Sequence, residues 1–306
     1  MDPLLLVLLV FAATCAFCWI ASLITKDTSW VDRLWSIVPA VYVWIFAIAG
    51  ILDGADAARL IVMAVLVTAW AARLTFNFAR KGGYTGMEDY RWAILRARMK
   101  PWQFQVFNLL FIVLYQNALL VLITLPAYIA WQHPAPFGIW DLIFAIVFAA
   151  FLAGEFLADQ QQWDFHQAKR AGRAEGFLTS GLFSWSRHPN FFFEQAQWWT
   201  FYAIGAVAAV ASGLGFWGGA LNWTITGAIL LSILFIGSTI FTESISSSKY
   251  PAYAAYKRTT SMIVPLPPRR AKASNKARDK AKAGTKPTKD AKPAKTPAPK
   301  PAPNPA

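Results

Sequence analysis

The amino-acid sequence predicts an all-α fold, a polytopic membrane bundle of about seven transmembrane helices followed by a basic tail. Three observations carry this. Hydrophobic residues make up 56% of the chain and charged residues only 15%, with a mean hydropathy of +0.38. Apolar stretches long enough to cross about 30 Å of hydrocarbon as helices recur seven times along the chain. Lys and Arg also alternate between loops, fifteen in one set against one in the other, the asymmetry that turns basic loops toward the cytoplasm.

The first span is expected at Pro3–Ile24; no basic region precedes it and no small-residue cleavage site is apparent, so it is read as a retained helix. Its Cys15 and Cys18 stand three apart on one helix, where a bridge would be strained, and are expected to act as small packing residues. Loop 25–33, with Lys26 and Arg33, leads to a second span at Leu34–Leu52. The third, Ala58–Phe78, starts beside Arg59, the one basic residue of the opposite loops, and runs into loop 79–103 with its six Lys and Arg. The fourth and fifth are expected at Phe104–Trp131 and Ile139–Ala158, followed by loop 159–190 with Lys169, Arg170, Arg173 and Arg187. Pro189 suits the start of a sixth helix, where its missing N–H costs nothing, and that span covers Phe191–Leu214. The seventh, Ala220–Thr242, returns to a segment with Lys249, Lys257 and Arg258. The N-terminus is therefore expected outside and the C-terminus in the cytoplasm, in a bacterial inner membrane.

The chain divides at residue 268. Residues 269–306 hold twelve Lys or Arg and two Asp, hence +10 of the net +13, leaving +3 for the membrane-embedded domain 1–268. Built almost wholly from Lys, Ala, Pro and Thr, this tail has too little apolar surface to offset its ordering entropy. It is expected to be disordered and to lie at anionic lipid headgroups, at about 1 kcal/mol per basic residue near the surface. It has no base-reading element, so no specific nucleic-acid partner is expected. Three scattered histidines, His133, His166 and His188, lack metal-ligand spacing.

Polar residues collect at the expected cytoplasmic side. Arg73, Asn77 and Arg80 share one helical face, Glu155 and Asp159 lie one turn apart, and Asn190, Glu194 and Gln197 form a third stripe. Glu243 ends the seventh span there, and Asp32-Arg33 precedes the second. Acids and bases from several helices converging on one side fit a bound polar ligand, although a pair such as Arg73 with Glu155 also suits a simple tie between helices. Ser186-Arg187-His188-Pro189-Asn190 enters a helix whose free N–H groups favour an anion. Tyr115, Gln116 and Asn117, midway along the fourth span, either bond between helices or line a deeper pocket.

Gly181-Leu182-Phe183, the Ser186–Phe191 run and Glu194 resemble the signature of the membrane steroid 5-alpha-reductase family, most closely its bacterial members of largely unassigned substrate. Ala158-Asp159-Gln160, Glu88-Asp89-x-Arg91 and Tyr253-x-x-Tyr256 with Thr260 and Ile263-Val264-Pro265 extend the likeness over roughly residues 30–265. The Arg-His-Pro core also resembles the motif of membrane isoprenylcysteine and phospholipid methyltransferases, which use S-adenosylmethionine. The reductase resemblance implies a helical bundle that binds NADPH on the cytoplasmic side and reduces the conjugated C=C bond of a lipophilic, steroid-like or isoprenoid, enone from the membrane. By position it assigns Asp159, Asn190, Glu194, Glu155 and Tyr256 to the cofactor, and Arg187, His188 and Arg73 or Arg91 to its phosphates. The eukaryotic reductases polarise the carbonyl with a Glu in the second span and a Tyr after the third. This chain has no Glu in that span; Asp32 or Trp35 lies nearest, and Tyr84 or Tyr90 stands for the tyrosine. Asp32 and Tyr90 are the catalytic expectation.

Overall fold

The computed structural model describes residues 1–269; the expected disordered tail lies, from Arg270 onward, outside the described residues. Residues Met1–Pro268 form one compact unit. Helix α1 spans Pro3–Thr25, capped by Asp2, whose carboxylate accepts from the Leu4 N–H, and closed by Lys26 in the left-handed conformation. Then come α2 (Trp30–Leu34), α3 (Val38–Leu52), α4 (Ala58–Arg80) and the short α5 (Tyr90–Arg98), which Asp89 caps. Helices α6 (Pro101–Gln132) and α7 (Ile139–Arg170) are 32 residues each. Helix α8 (Pro189–Ala209) breaks at Gly213 and Gly215, both at positive φ, and α9 (Gly215–Ala220) folds back on it. The chain ends with α10 (Ile225–Lys249) and α11 (Tyr253–Thr259).

Six of these helical stretches are long and apolar enough to cross a membrane, so the molecule is an all-α polytopic bundle. The expected second span is the exception: α3 has only 15 residues, about 22 Å at 1.5 Å per residue and short of the hydrocarbon thickness. Pro39 explains the cut. Without an N–H it belongs in the first turn of a helix, so α3 starts beside it and Trp35-Ser36-Ile37 turns instead toward α2. Leu5, Leu9, Ile20, Phe76, Ile146 and Ile240 are exposed on the outside of the bundle, the surface that acyl chains would cover.

Helix α6 runs through the middle, with Leu119, Leu120, Ile123 and Ala127 almost fully buried. Two neighbours approach it through glycine. A Cβ on Gly205 of α8 would stand 2.6 Å from the Pro126 carbonyl oxygen, and one on Gly227 of α10 would overlap the Leu122 peptide. Small residues of this kind let membrane helices come together where no hydrophobic effect drives them. Trp70 and Trp198 meet edge to face at 5.0 Å between α4 and α8.

Both ends are tied. At one, Arg59 at the start of α4 grips Asp141 at the start of α7 with two bonds of 2.7 and 2.8 Å and donates to the carbonyls of Ala135 and Pro136. The other, basic end is closed by a clasp between the segment before α8 and the chain after α11. Here Ser186 pairs with Ser261, Arg187 N–H donates to the Ser261 carbonyl, and Leu266 N–H donates to the Trp185 carbonyl.

Candidate functional site

A cavity of about 540 Å³ lies at the basic end, walled by α2, α4, α5, α6, α8 and α10; volumes in this range suit one small ligand. Its wall is rich in aromatic rings. On α6 the stretch Asn108–Tyr115 is π-helical, and residues four apart along it share one face. Phe107, Phe111 and Tyr115 therefore stack, at 5.0 and 5.3 Å between centroids. Across from them Phe191 of α8 stacks on Phe235 of α10 at 4.8 Å.

Four charged side chains reach this wall: Asp32, Asp89, Arg91 and Glu194. Asp89 and Arg91 bind each other at 2.6 Å, and Arg91 Nη1 also donates to Ser238 Oγ at 2.6 Å, linking α5 to α10. Asp32 accepts from Trp92 Nε1 at 3.1 Å. Burial pushes its carboxyl above the usual carboxylate range and nearby Asp89 adds to the shift, so Asp32 holds its proton to higher pH than an exposed acid. Glu194 leaves Oε1 buried and without a hydrogen-bond partner.

Behind Glu194 sits a charge cluster. Arg73 of α4 pairs with Glu155 at 2.7 Å and with Asp159 at 2.8 Å, both on α7, and Gln197 Nε2 donates to Glu155 at 2.7 Å. Glu194 is close enough to act on the same guanidinium. The three sequence stripes thus meet, with three carboxylates around one cation. Gln197 Oε1 is a second buried acceptor without a partner. Toward the protein surface, Arg80 binds Asn77, Gln160 and the Asp159 carbonyl, and Lys81, whose own pKa burial lowers, lies near Asp159.

Other expected residues belong elsewhere. Arg187 is consumed by the clasp: Nε and Nη2 bind Glu243 at 2.6 and 3.1 Å, and Nη1 donates to the carbonyls of Thr260 and Lys257. With its donors engaged, it holds the chain end in place rather than offering itself to a phosphate. His188 faces the same Glu243 at 3.3 Å, and the Tyr256 hydroxyl donates to the Phe183 carbonyl. Asn190, beside them, is half-buried. Tyr90 is 52% exposed and off the cavity wall, because Arg91, Trp92 and Leu95 take the inward face of α5 and turn residue 90 out. Tyr84 donates to the Arg33 carbonyl. Of the fourth-span trio, Tyr115 and Gln116 line the cavity, whereas Asn117 donates back to the Val113 carbonyl within its helix. Cys15 and Cys18 are buried and unbridged. Sequence reasoning missed the aromatic ladder, although Phe107-x-x-x-Phe111-x-x-x-Tyr115 was its visible signal, and it missed the Arg91–Ser238 link, which has no local signal.

Residues 18–260 match the family described as protein of unknown function DUF1295. The chain belongs to the DUF1295 family. Every cavity residue lies inside the matched DUF1295 region. An uncharacterized protein of Schizosaccharomyces pombe is 40% identical over 266 residues, covering 81% of this chain and 75% of its own. No solved structure matches this DUF1295 member.

Proposed function

We propose that this DUF1295 protein is a membrane enzyme that reduces the conjugated C=C bond of a lipophilic enone with NADPH. The observation that carries the reading is the pairing, on one apolar cavity, of an acid whose pKa burial raises, Asp32, with a buried acceptor that lacks a partner, Glu194. The resemblance to steroid 5-alpha-reductases at Ser186–Phe191 and Glu194 supports it. The donor set suits NADPH in part by part. The free oxygens of Glu194 and Gln197 are acceptors for carboxamide N–H and ribose O–H groups, with Asn190 on the same helix. The phosphates need a cation, and Lys81 toward the surface supplies it in place of Arg187.

Bound NADPH supplies a hydride to the β-carbon of the enone. The chain's own task is the other half: negative charge develops on the carbonyl oxygen, and a donor fixed in a dry pocket stabilises it. Asp32 is that donor. Trp92 Nε1 orients its carboxyl, and burial, with Asp89 beside it, raises its pKa. The aromatic walls exclude water and hold a flat, conjugated body. On this reading the basic loops face the cytoplasm, with the N-terminus outside.

A second reading has its own observation. The cavity wall carries three carboxylates and one guanidinium, a balance that favours a cationic cofactor such as S-adenosylmethionine, and with it methyl transfer to a lipid.

Calorimetric titration of the purified protein with each cofactor separates the two. NADPH binding, with NADPH oxidation on a panel of 3-oxo-Δ4 lipids, is the expected result; binding of S-adenosylmethionine alone overturns the reductase reading. Asp32→Asn is expected to lower turnover by about 10²- to 10³-fold, the usual cost of one oxyanion donor, with NADPH affinity unchanged. The donor form of Asp32 exists at and below its raised pKa, so wild-type turnover falls as pH rises through it, and the variant loses that alkaline limb.

A further inference from the structure

We infer that the cavity fills sideways from the bilayer, through a slot between α10 and the π-helical stretch of α6, and that Gly237 is its sill. The inference rests on the reading of the cavity as a ligand site and adds the route and the ligand's form. Helix α10 touches α6 closely at Gly227, where a Cβ would overlap Leu122. Ten residues on, about 15 Å along the helix, a Cβ on Gly237 would meet nothing within 4 Å. Toward the basic end the two helices stand apart, with the cavity between Ile233–Phe241 of α10 and Phe107–Tyr115 of α6. Gly237 and Ile233 both line the cavity and are themselves exposed, Ile233 at 57%. A residue with one side in a cavity and the other facing outward marks a breach in the wall. Gly237 lies five residues before Thr242, the expected end of the seventh span, about 7.5 Å at helical rise, so the breach opens at the inner edge of the hydrocarbon.

The slot's lower edge is closed by two bridges from α5: the Arg91–Ser238 hydrogen bond at 2.6 Å and the Arg98 guanidinium 5.9 Å from the Phe241 ring centroid. A ligand passing above them meets the Phe107–Phe111 stack along its length and the Asp32 carboxyl at one end. This fits a bilayer-dissolved amphiphile with a long or flat apolar body and a single terminal oxygen function.

The test uses full-length protein in lipid nanodiscs and a hexadecanol carrying a diazirine on its chain, photolysed and mapped by peptide mass spectrometry. Labelling is expected on the peptides holding Ile233 and Phe111. Gly237→Trp and, separately, Ile233→Trp are expected to reduce it about tenfold, a difference of about 1.4 kcal/mol in occupancy, while Gly237→Ala leaves it intact. Both Trp variants grow into open space, and an unchanged melting temperature checks that they fold. Full labelling in both folded Trp variants, or labelling confined to other helices, overturns the route. The readout does not use turnover: if neither cofactor binds yet the Trp variants lose labelling, the slot stands and the reductase reading falls.

Discussion

Helix α4 carries a buried arginine near each end, and the two are treated in opposite ways. Arg59 meets one carboxylate in a two-bonded fork and two backbone carbonyls, so its charge and its donors are matched. Arg73, fourteen residues on, shares its charge among Glu155, Asp159 and Glu194 and leaves its own Nε, Glu194 Oε1 and Gln197 Oε1 without partners. Buried polar groups are normally satisfied, and exceptions call for an explanation. The matched site ties two helices together; the unmatched one leaves a donor and two acceptors open, as the ligand site proposed above requires.

The largest effect should come from the matched site. Asp141→Ala strands Arg59 as a buried charge, which costs about 3–5 kcal/mol; thermal unfolding should report a large fall in melting temperature, and NADPH affinity per folded molecule should not change. If the melting temperature holds, Arg59 is not the tie described above. The opposite pattern is expected at the unmatched site. Glu194→Gln should weaken NADPH about tenfold, or 1.4 kcal/mol, and leave the melting temperature unchanged or slightly higher, since it removes surplus negative charge. A loss of stability without loss of binding would make the Arg73 cluster structural too. The smallest effect belongs to Glu88, which binds Thr28 and Arg96 at the partly exposed rim. Although burial opposes it, the Arg96 and Thr28 bonds together hold its pKa below the usual value. Its contribution is present above the unfolded-state pKa and is lost as pH falls through the lowered one. For a rim pair this is below about 1 kcal/mol, so Glu88→Gln should barely move the melting temperature at pH 7, and the gap should vanish in acid.

Much of this contrast was legible in the sequence. The stripes on α4, α7 and α8 were readable because i, i+4 spacing fixes a helical face, and they do converge on Arg73. What helix faces cannot reveal is stoichiometry. That Arg59 has a private carboxylate 82 residues away, and that Arg73 has to share, depends on how neighbouring helices are rotated. Arg187 looked like an anion ligand because two of its partners, the carbonyls of Thr260 and Lys257, are backbone groups that leave no trace in residue identity. Tyr90 turns outward through the phase of one short helix, which residue identity does not reveal. The second span was overrun because hydrophobicity continues through Trp35-Ser36-Ile37, where backbone direction does not.

The clasp also sets an order of assembly. Arg187 donates to a carbonyl 73 residues further along the chain, which at about 5–20 residues per second is not made until some 4–15 s later. Until then its guanidinium waits at the foot of a half-built bundle, and Glu243, its other anchor, is also still to come. The floor of this molecule is thus laid last, after its walls have been inserted, and a ribosome halted before Thr260 would leave a bundle with its base unlatched.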